Sequence, residues 1–211
     1  MVNVTLSEEE QVEALKKWWK ENGRSVIGGI ILGLSAVFGW RYWVDHQSEI
    51  AQQASVQLAE LNQTVADGKG DLAREQAKQI IDQFQGTPYA IFAALNLAKV
   101  MLQSGEHEGA IAQLKWALDS SDDNSLKQII RARMARIMMD AGQLDEAEQV
   151  VASAASDSYR GEFAELKGDI ARARGDKSAA SAAYREALEH DVGNSVLVQM
   201  KLDDLALPDK S

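Results

Sequence analysis

Residues 98–117 read AKVMLQSGEHEGAIAQLKWA, residues 135–154 read ARIMMDAGQLDEAEQVVASA, and residues 168–187 read GDIARARGDKSAASAAYREA. The three stretches share one grammar. A glycine stands at the same place in each, Gly105, Gly142 and Gly175, which are 37 and 33 residues apart. Seven residues before it comes a small residue (Ala98, Ala135, Gly168), and five after it an alanine (Ala110, Ala147, Ala180). Four further on stands a larger apolar side chain (Leu114, Val151, Tyr184), and three beyond that another alanine (Ala117, Ala154, Ala187). The glycine separates two helices, the small residues let them approach antiparallel, and the larger ones fill the gap to the next pair. One hairpin cannot bury its own apolar face, so at least three must stack.

Outward from these turns the chain divides into units at about 90–121, 127–157 and 161–191. A helix pair, 46–85, precedes them. Its first helix carries Ile50, Ala54, Leu58, Leu61 and Val65 at spacings of three and four and stops at Asp67-Gly68. Its second, over 71–85, carries Ala73, Ala77, Ile80, Ile81 and Phe84, and Gly86-Thr87-Pro88 breaks the run. A last helix, 195–205, with Val196, Val198, Leu202 and Leu205, caps the open end. Asp122-Asp123-Asn124 reads as a helix start near Ser125 and not as a calcium loop, which would need a glycine and a distal glutamate. Only two prolines interrupt 211 residues, so the fold class is all-α.

The grammar resembles the tetratricopeptide repeat, a helix–turn–helix unit of about 34 residues that stacks into an α-α superhelix. The repeat's leading tryptophan is replaced by Ala94, Arg131 and Ala164, its closing proline is missing, and Lys167 takes an apolar position for which Leu166 substitutes. The resemblance implies a concave face lined by the first helix of each unit. Phe92, Leu95, Lys99 and Leu102 would lie there, followed by Ile129, Ala132, Arg136 and Met139. Glu162, Glu165, Asp169 and Arg172 would make a third, acidic set. The first two sets suit an amphipathic helix or an unfolded client segment.

Upstream, Ser25 to Trp40 runs SVIGGIILGLSAVFGW, without a charge, and twenty residues to Val44 contain only Arg41. Twenty helical residues span about 30 Å, one hydrocarbon thickness. Eight Val, Ile, Leu or Phe residues contribute about −2 to −5 kcal/mol to insertion, and Arg41 near the end reaches the headgroups. Trp18 and Trp19 on one flank and Trp40, Tyr42 and Trp43 on the other form interfacial aromatic belts, which a buried core helix does not need. Phe38-Gly39-Trp40 is a poor cleavage site, which argues against a removed signal peptide. Lys16, Lys17, Lys20 and Arg24 precede the span, and after it only Arg41 appears before Lys69, so the amino end is expected in the cytoplasm. The chain thus divides into a segment 1–24, an anchor 25–44 and a repeat domain 45–211. Gly29 with Gly33 and Ser35 with Gly39 would admit neighbouring membrane helices. Residues 1–24 contain a short amphipathic helix, opened by a Ser7–Glu10 capping box and closed by Asn22-Gly23. It rests in the headgroups or docks a cytosolic partner.

Charge and chemistry narrow the function. Residues 1–44 are neutral, five basic against five acidic, so the net −10 sits wholly in residues 45–211. Such a domain is repelled by phosphate backbones, which excludes nucleic acid. Cysteine is absent, and His46, His107 and His190 stand far apart. No nucleophile–base pair, phosphate loop or metal spacing is present, so no enzyme activity and no cofactor are expected.

With Gln11-Val12-Glu13-Ala14, Glu21-Asn22-Gly23 and the closing run Gly39-Trp40-Arg41-Tyr42-Trp43, followed by degenerate repeats, the chain resembles the YfgM-type ancillary subunits of the bacterial SecYEG translocon. The likeness implies a type II inner-membrane protein of a Gram-negative cell with its repeats in the periplasm. Its implied partners are SecYEG and the membrane-anchored chaperone PpiD, with transfer of translocating proteins to periplasmic chaperones. It also implies a link of residues 1–24 to a cytosolic stress-response regulator. A membrane-anchored structural adaptor of another cell-envelope complex is the alternative that the same architecture allows.

Overall fold

The structure, a computed structural model, describes residues 8–154 and 157–206. Every regular element among them is a helix: α1 (Glu8–Ala66), α2 (Gly70–Gln83), α3 (Pro88–Gln103), α4 (His107–Ser120), α5 (Asn124–Asp140), α6 (Leu144–Ala152), a 3₁₀ turn (Asp157–Tyr159), α7 (Arg160–Ala173), α8 (Lys177–Glu189) and α9 (Ser195–Ala206). The chain forms two compact units, Met1–Gln52 and Gln53–Ser211.

In the first unit the helix break expected at Asn22-Gly23 does not form, because α1 runs through it. A mid-helix glycine costs only about 1 kcal/mol. Asn22 turns its amide back onto the Trp18 carbonyl at 3.1 Å, and the Trp19 ring lies over Gly23. The Ser7–Glu10 capping box lies outside the described residues. The helix is long and apolar enough to cross a membrane. Its large apolar side chains from Ile27 to Val44 are exposed. Trp18 pairs with Trp19 at a ring separation of 6.5 Å, Trp40 with Trp43 at 5.4 Å, and Tyr42 stacks on His46 at 6.3 Å.

In the second unit the turn glycines do what their spacing requires. Gly105, Gly142 and Gly175 have φ of 77°, 76° and 80°, the left-handed region that ends a helix at little cost only in glycine. The residue after each donates its amide to the last helical turn: Glu106 to the Met101 carbonyl, Gln143 to Met138 and Asp176 to Ala171, at 2.8–2.9 Å. Gly68 repeats the device between α1 and α2, where Lys69 donates to the Thr64 carbonyl. The starts of α3, α5 and α8 are capped by side chains, those of Thr87, Asp123 and Asp176. Thr87 precedes Pro88, and Asp123 accepts from the amides of Ser125 and Leu126 at 2.8 and 3.1 Å, which makes the acidic Asp122-Asp123 pair a helix start.

The alternating small and large residues are the core. Ala110, Ala117, Ala147, Ala180 and Ala187 are fully buried, and Leu114, Val151 and Tyr184 almost so. Leu166 is buried and Lys167 exposed, as the substitution at that position requires. One apolar cluster runs from α3 to α7, and a second joins α7, α8 and α9 through Ala164, Tyr184 and Val198. Helix α7 therefore buries two faces. Gly168 shows why it must be small: a Cβ there would strike Cδ1 and Cε1 of Tyr184. The cap α9 packs Val198, Leu202 and Leu205 inward, but Val196, expected with them, points outward and is 70% exposed. At 100° per residue Val196 lies far round the helix from Val198.

Candidate protein-binding groove

On α3, Leu95, Lys99 and Leu102 follow one another at four and three residues and so share a face. Facing them from α5 are Arg133, Arg136, Ile137 and Asp140, and Leu114 of α4 lies beneath. Together they enclose an open cleft of about 460 Å³. Its floor is aliphatic (Leu95, Ala98, Leu102, Leu114, Ile137), and its rim carries Lys99, Arg133, Arg136 and Asp140. From Leu95 to Leu102 the cleft is about 10 Å long, two turns of a docked helix.

A second cleft, about 550 Å³, adjoins the first at Arg136 and Asp140. It is bounded by Met139 of α5, by Glu162, Glu165 and Asp169 of α7, and by Leu197 and Lys201 of α9. Four of the eight residues in the two apolar sets singled out by sequence, Leu95, Lys99, Leu102 and Arg136, thus meet in the first cleft, and Met139 joins Arg136 in the second. Phe92 and Ile129 line neither: Phe92 stands exposed on α3 and Ile129 is half-buried on α5. Ala132 faces inward and is 1% exposed, so it belongs to the core rather than the concave face. Arg133 and Asp140 were missed because the exposed stripe of α5 runs through 133, 136 and 140, partly one position further round than the repeat's register indicates, and Ile137 lines the cleft from the core.

The electrostatics of the two clefts differ. In the second, every carboxylate of the acidic set is already engaged. Arg136 donates to Glu162 at 2.9 Å. Lys201 donates to both Glu165 and Asp169 at 2.7 Å, with all three side chains less than one-fifth exposed. The Tyr184 hydroxyl donates to Asp169 at 2.7 Å, and Lys201 lies 5.8 Å from the centre of its ring. Burial, then the Asp169 hydrogen bond, push the Tyr184 hydroxyl well above the usual phenol range. Lys201 comes from the capping helix, 32 and 36 residues beyond its partners, and nothing local in the sequence marks it. Glu165 and Asp169 therefore brace α9 against α7, and Glu162 ties α7 to α5. In the first cleft, Lys99 and Arg133 carry no ion pair among the described residues.

In the first unit, Gly29, Gly33 and Gly39 open onto free space and Ser35 is exposed. The two small pairs lie about 120° apart round the helix, so they form two distinct faces. Among the described residues no group of three or more histidine or carboxylate side chains is gathered as a metal site.

The geometry is matched by kinship. The family model described as tetratricopeptide repeat-like domain covers residues 16–207. A protein of Haemophilus influenzae named ancillary SecYEG translocon subunit is 37% identical over 95% of this chain and 98% of its own length. Its namesake in Escherichia coli K12 is 33% identical over the same shares. Among solved structures, one titled as the functional characterization of Pseudomonas aeruginosa pilF superposes with a TM-score of 0.59 over 74% of this chain and 68% of that one, at 16% identity, a likeness of fold alone. Stacked hairpins behind one membrane-length helix, matched end to end by these relatives, place the chain in the tetratricopeptide repeat-like family of ancillary SecYEG translocon subunits.

Proposed function

We propose that this protein is a non-enzymatic accessory of the SecYEG translocon. Ser25–Val44 anchors it in the inner membrane with residues 1–24 in the cytoplasm and the repeats in the periplasm. The Gly29/Gly33 face packs against a translocon helix. The repeat domain holds segments of partner proteins, helping translocating chains pass to periplasmic chaperones, PpiD among them. Residues 1–24 are the part exposed to a cytosolic stress-response regulator. The observation that carries this reading is the aliphatic cleft between α3 and α5, open and two helical turns long, on a domain tied to a membrane-length helix. The relatives' shared name supports the partner.

The chain lacks cysteine, so single cysteines can be placed at will. Crosslinkers at Gly29 and Gly33 in native membranes should yield translocon adducts, and crosslinkers at Leu95 and Leu102 adducts with chaperones or translocating chains. An impermeant maleimide should label Gln79→Cys in intact spheroplasts. Labelling only after lysis, or adducts exclusively with another envelope assembly, would overturn the proposal.

A further inference from the structure

Pairing inside the domain leaves its clefts with opposite characters. Glu162, Glu165 and Asp169 are already hydrogen-bonded to Arg136 and Lys201, yet with Asp140 the carboxylates lining this cleft still outnumber its cations. Among the described residues the aliphatic cleft keeps Lys99 and Arg133 without an ion pair at its rim, with Arg136 beside them and Asp140 the one carboxylate lining it. This local excess of cations sits on a chain of net charge −10. We infer that the occupant of the α3–α5 cleft is an acidic amphipathic segment of a partner protein. Apolar side chains about one turn apart rest on Leu95, Leu102 and Ile137, and flanking carboxylates face Lys99 and Arg133.

The inference rests on the cleft being a protein-binding groove, and it adds the chemistry of the guest. Charge complementarity carries it. Lys99 is four residues from Leu95 and three from Leu102, and Arg133 is four from Ile137, so each cation borders the apolar floor where a two-turn helix would present its edge. An unpaired cation at the rim of an apolar groove selects partners by sign more than by strength.

The domain's overall field makes the inference sharp. A net charge of −10 attracts cationic peptides, whereas the cleft selects anionic ones. Two synthetic helical peptides test it. They share a leucine stripe and one central cysteine, and they differ only in whether glutamate or lysine flanks the stripe. The full chain in phosphatidylcholine nanodiscs carries Leu102→Cys in the cleft or Gln79→Cys, exposed on α2, as the control. Disulfide trapping at Leu102→Cys should favour the glutamate peptide by about threefold to tenfold, the range two exposed charge pairs supply. Lys99→Glu with Arg133→Glu should reverse the preference, and Lys99→Gln with Arg133→Gln should abolish it. Equal trapping of both peptides, or preference for the lysine peptide, overturns the inference while leaving the groove a binding site. Trapping no greater than at Gln79→Cys overturns both.

Discussion

Replacing Lys201 by methionine isolates the energetic role of the brace between α7 and α9. Methionine keeps most of the unbranched stem over the Tyr184 ring but removes both donors. Two charge-assisted hydrogen bonds of 2.7 Å are lost, each contributing about 1.5–3 kcal/mol. Glu165 and Asp169 are left side by side, 13% and 17% exposed, with only the Tyr184 hydroxyl still donating to Asp169. Stranding a buried charge costs about 3–5 kcal/mol, and the remaining exposure lets water recover part of it. The expected loss is about 2–4 kcal/mol. Because repeat domains are stabilised by nearest-neighbour interfaces, the loss should fall on α9 and its contacts with α7 and α8. Hydrogen exchange of the full chain in detergent is the assay. Amides of 195–206 should exchange about 30- to 700-fold faster, and those of α3 and α4 at the parent rate. Adding Glu165→Gln and Asp169→Asn to the methionine variant should restore part of the protection, because the stranded charges are then gone. Exchange in α9 within threefold of the parent would refute the reasoning, and so would an absence of rescue, which would assign the effect to packing.

Three further outcomes follow from the same geometry. Gly168→Ala drives a methyl into the Tyr184 ring and should cost about 1–3 kcal/mol, read as a lower melting temperature and relieved by Tyr184→Leu. Asp123→Ala removes the acceptor for two amides at the start of α5 and should cost about 1 kcal/mol, whereas Asp122→Ala should be nearly silent. Tyr184 keeps its proton to higher pH in the folded chain than in the unfolded one, so its contribution is complete below about pH 10 and falls as pH rises beyond, by up to about 1.4 kcal/mol per unit. In a spectroscopic titration of the four tyrosines, at least one phenolate should appear only with unfolding, and this lag should vanish in Tyr184→Phe.

Much of the groove was legible because helical faces are local. Leu95, Lys99 and Leu102 share a face through their spacing alone, and they line the cleft. The α5 half was placed one step off: Ala132 turned inward, and Arg133 and Asp140 took the exposed stripe beside Arg136, above the buried Ile137. The rotation of α5 is set by the neighbours against which it buries Ala132, Met134 and Ile137. The break expected at Asn22-Gly23 failed for a related reason. Asn-Gly is a stop signal in isolation, yet Asn22 bonds within the helix and the apolar stretch beyond it favours unbroken backbone pairing.

By itself the sequence determined the long apolar helix near the amino end, the helix count of the repeats, their turns and the buried ladder of alanines. Each depends on residues within one or two helical turns, where hydrophobic period, glycine and proline act directly. Only the tertiary structure decided which charges remain available. The bonds from Lys201 to Glu165 and Asp169, and from Arg136 to Glu162, join residues 26 to 36 positions apart. Such pairs exist because of how successive hairpins stack, and stacking register is set by shape, as where the Tyr184 ring lies against Gly168. Three carboxylates that look like a binding surface along the chain are therefore structural ties once it is folded, and at the apolar cleft Lys99 and Arg133 are left without an ion pair among the described residues.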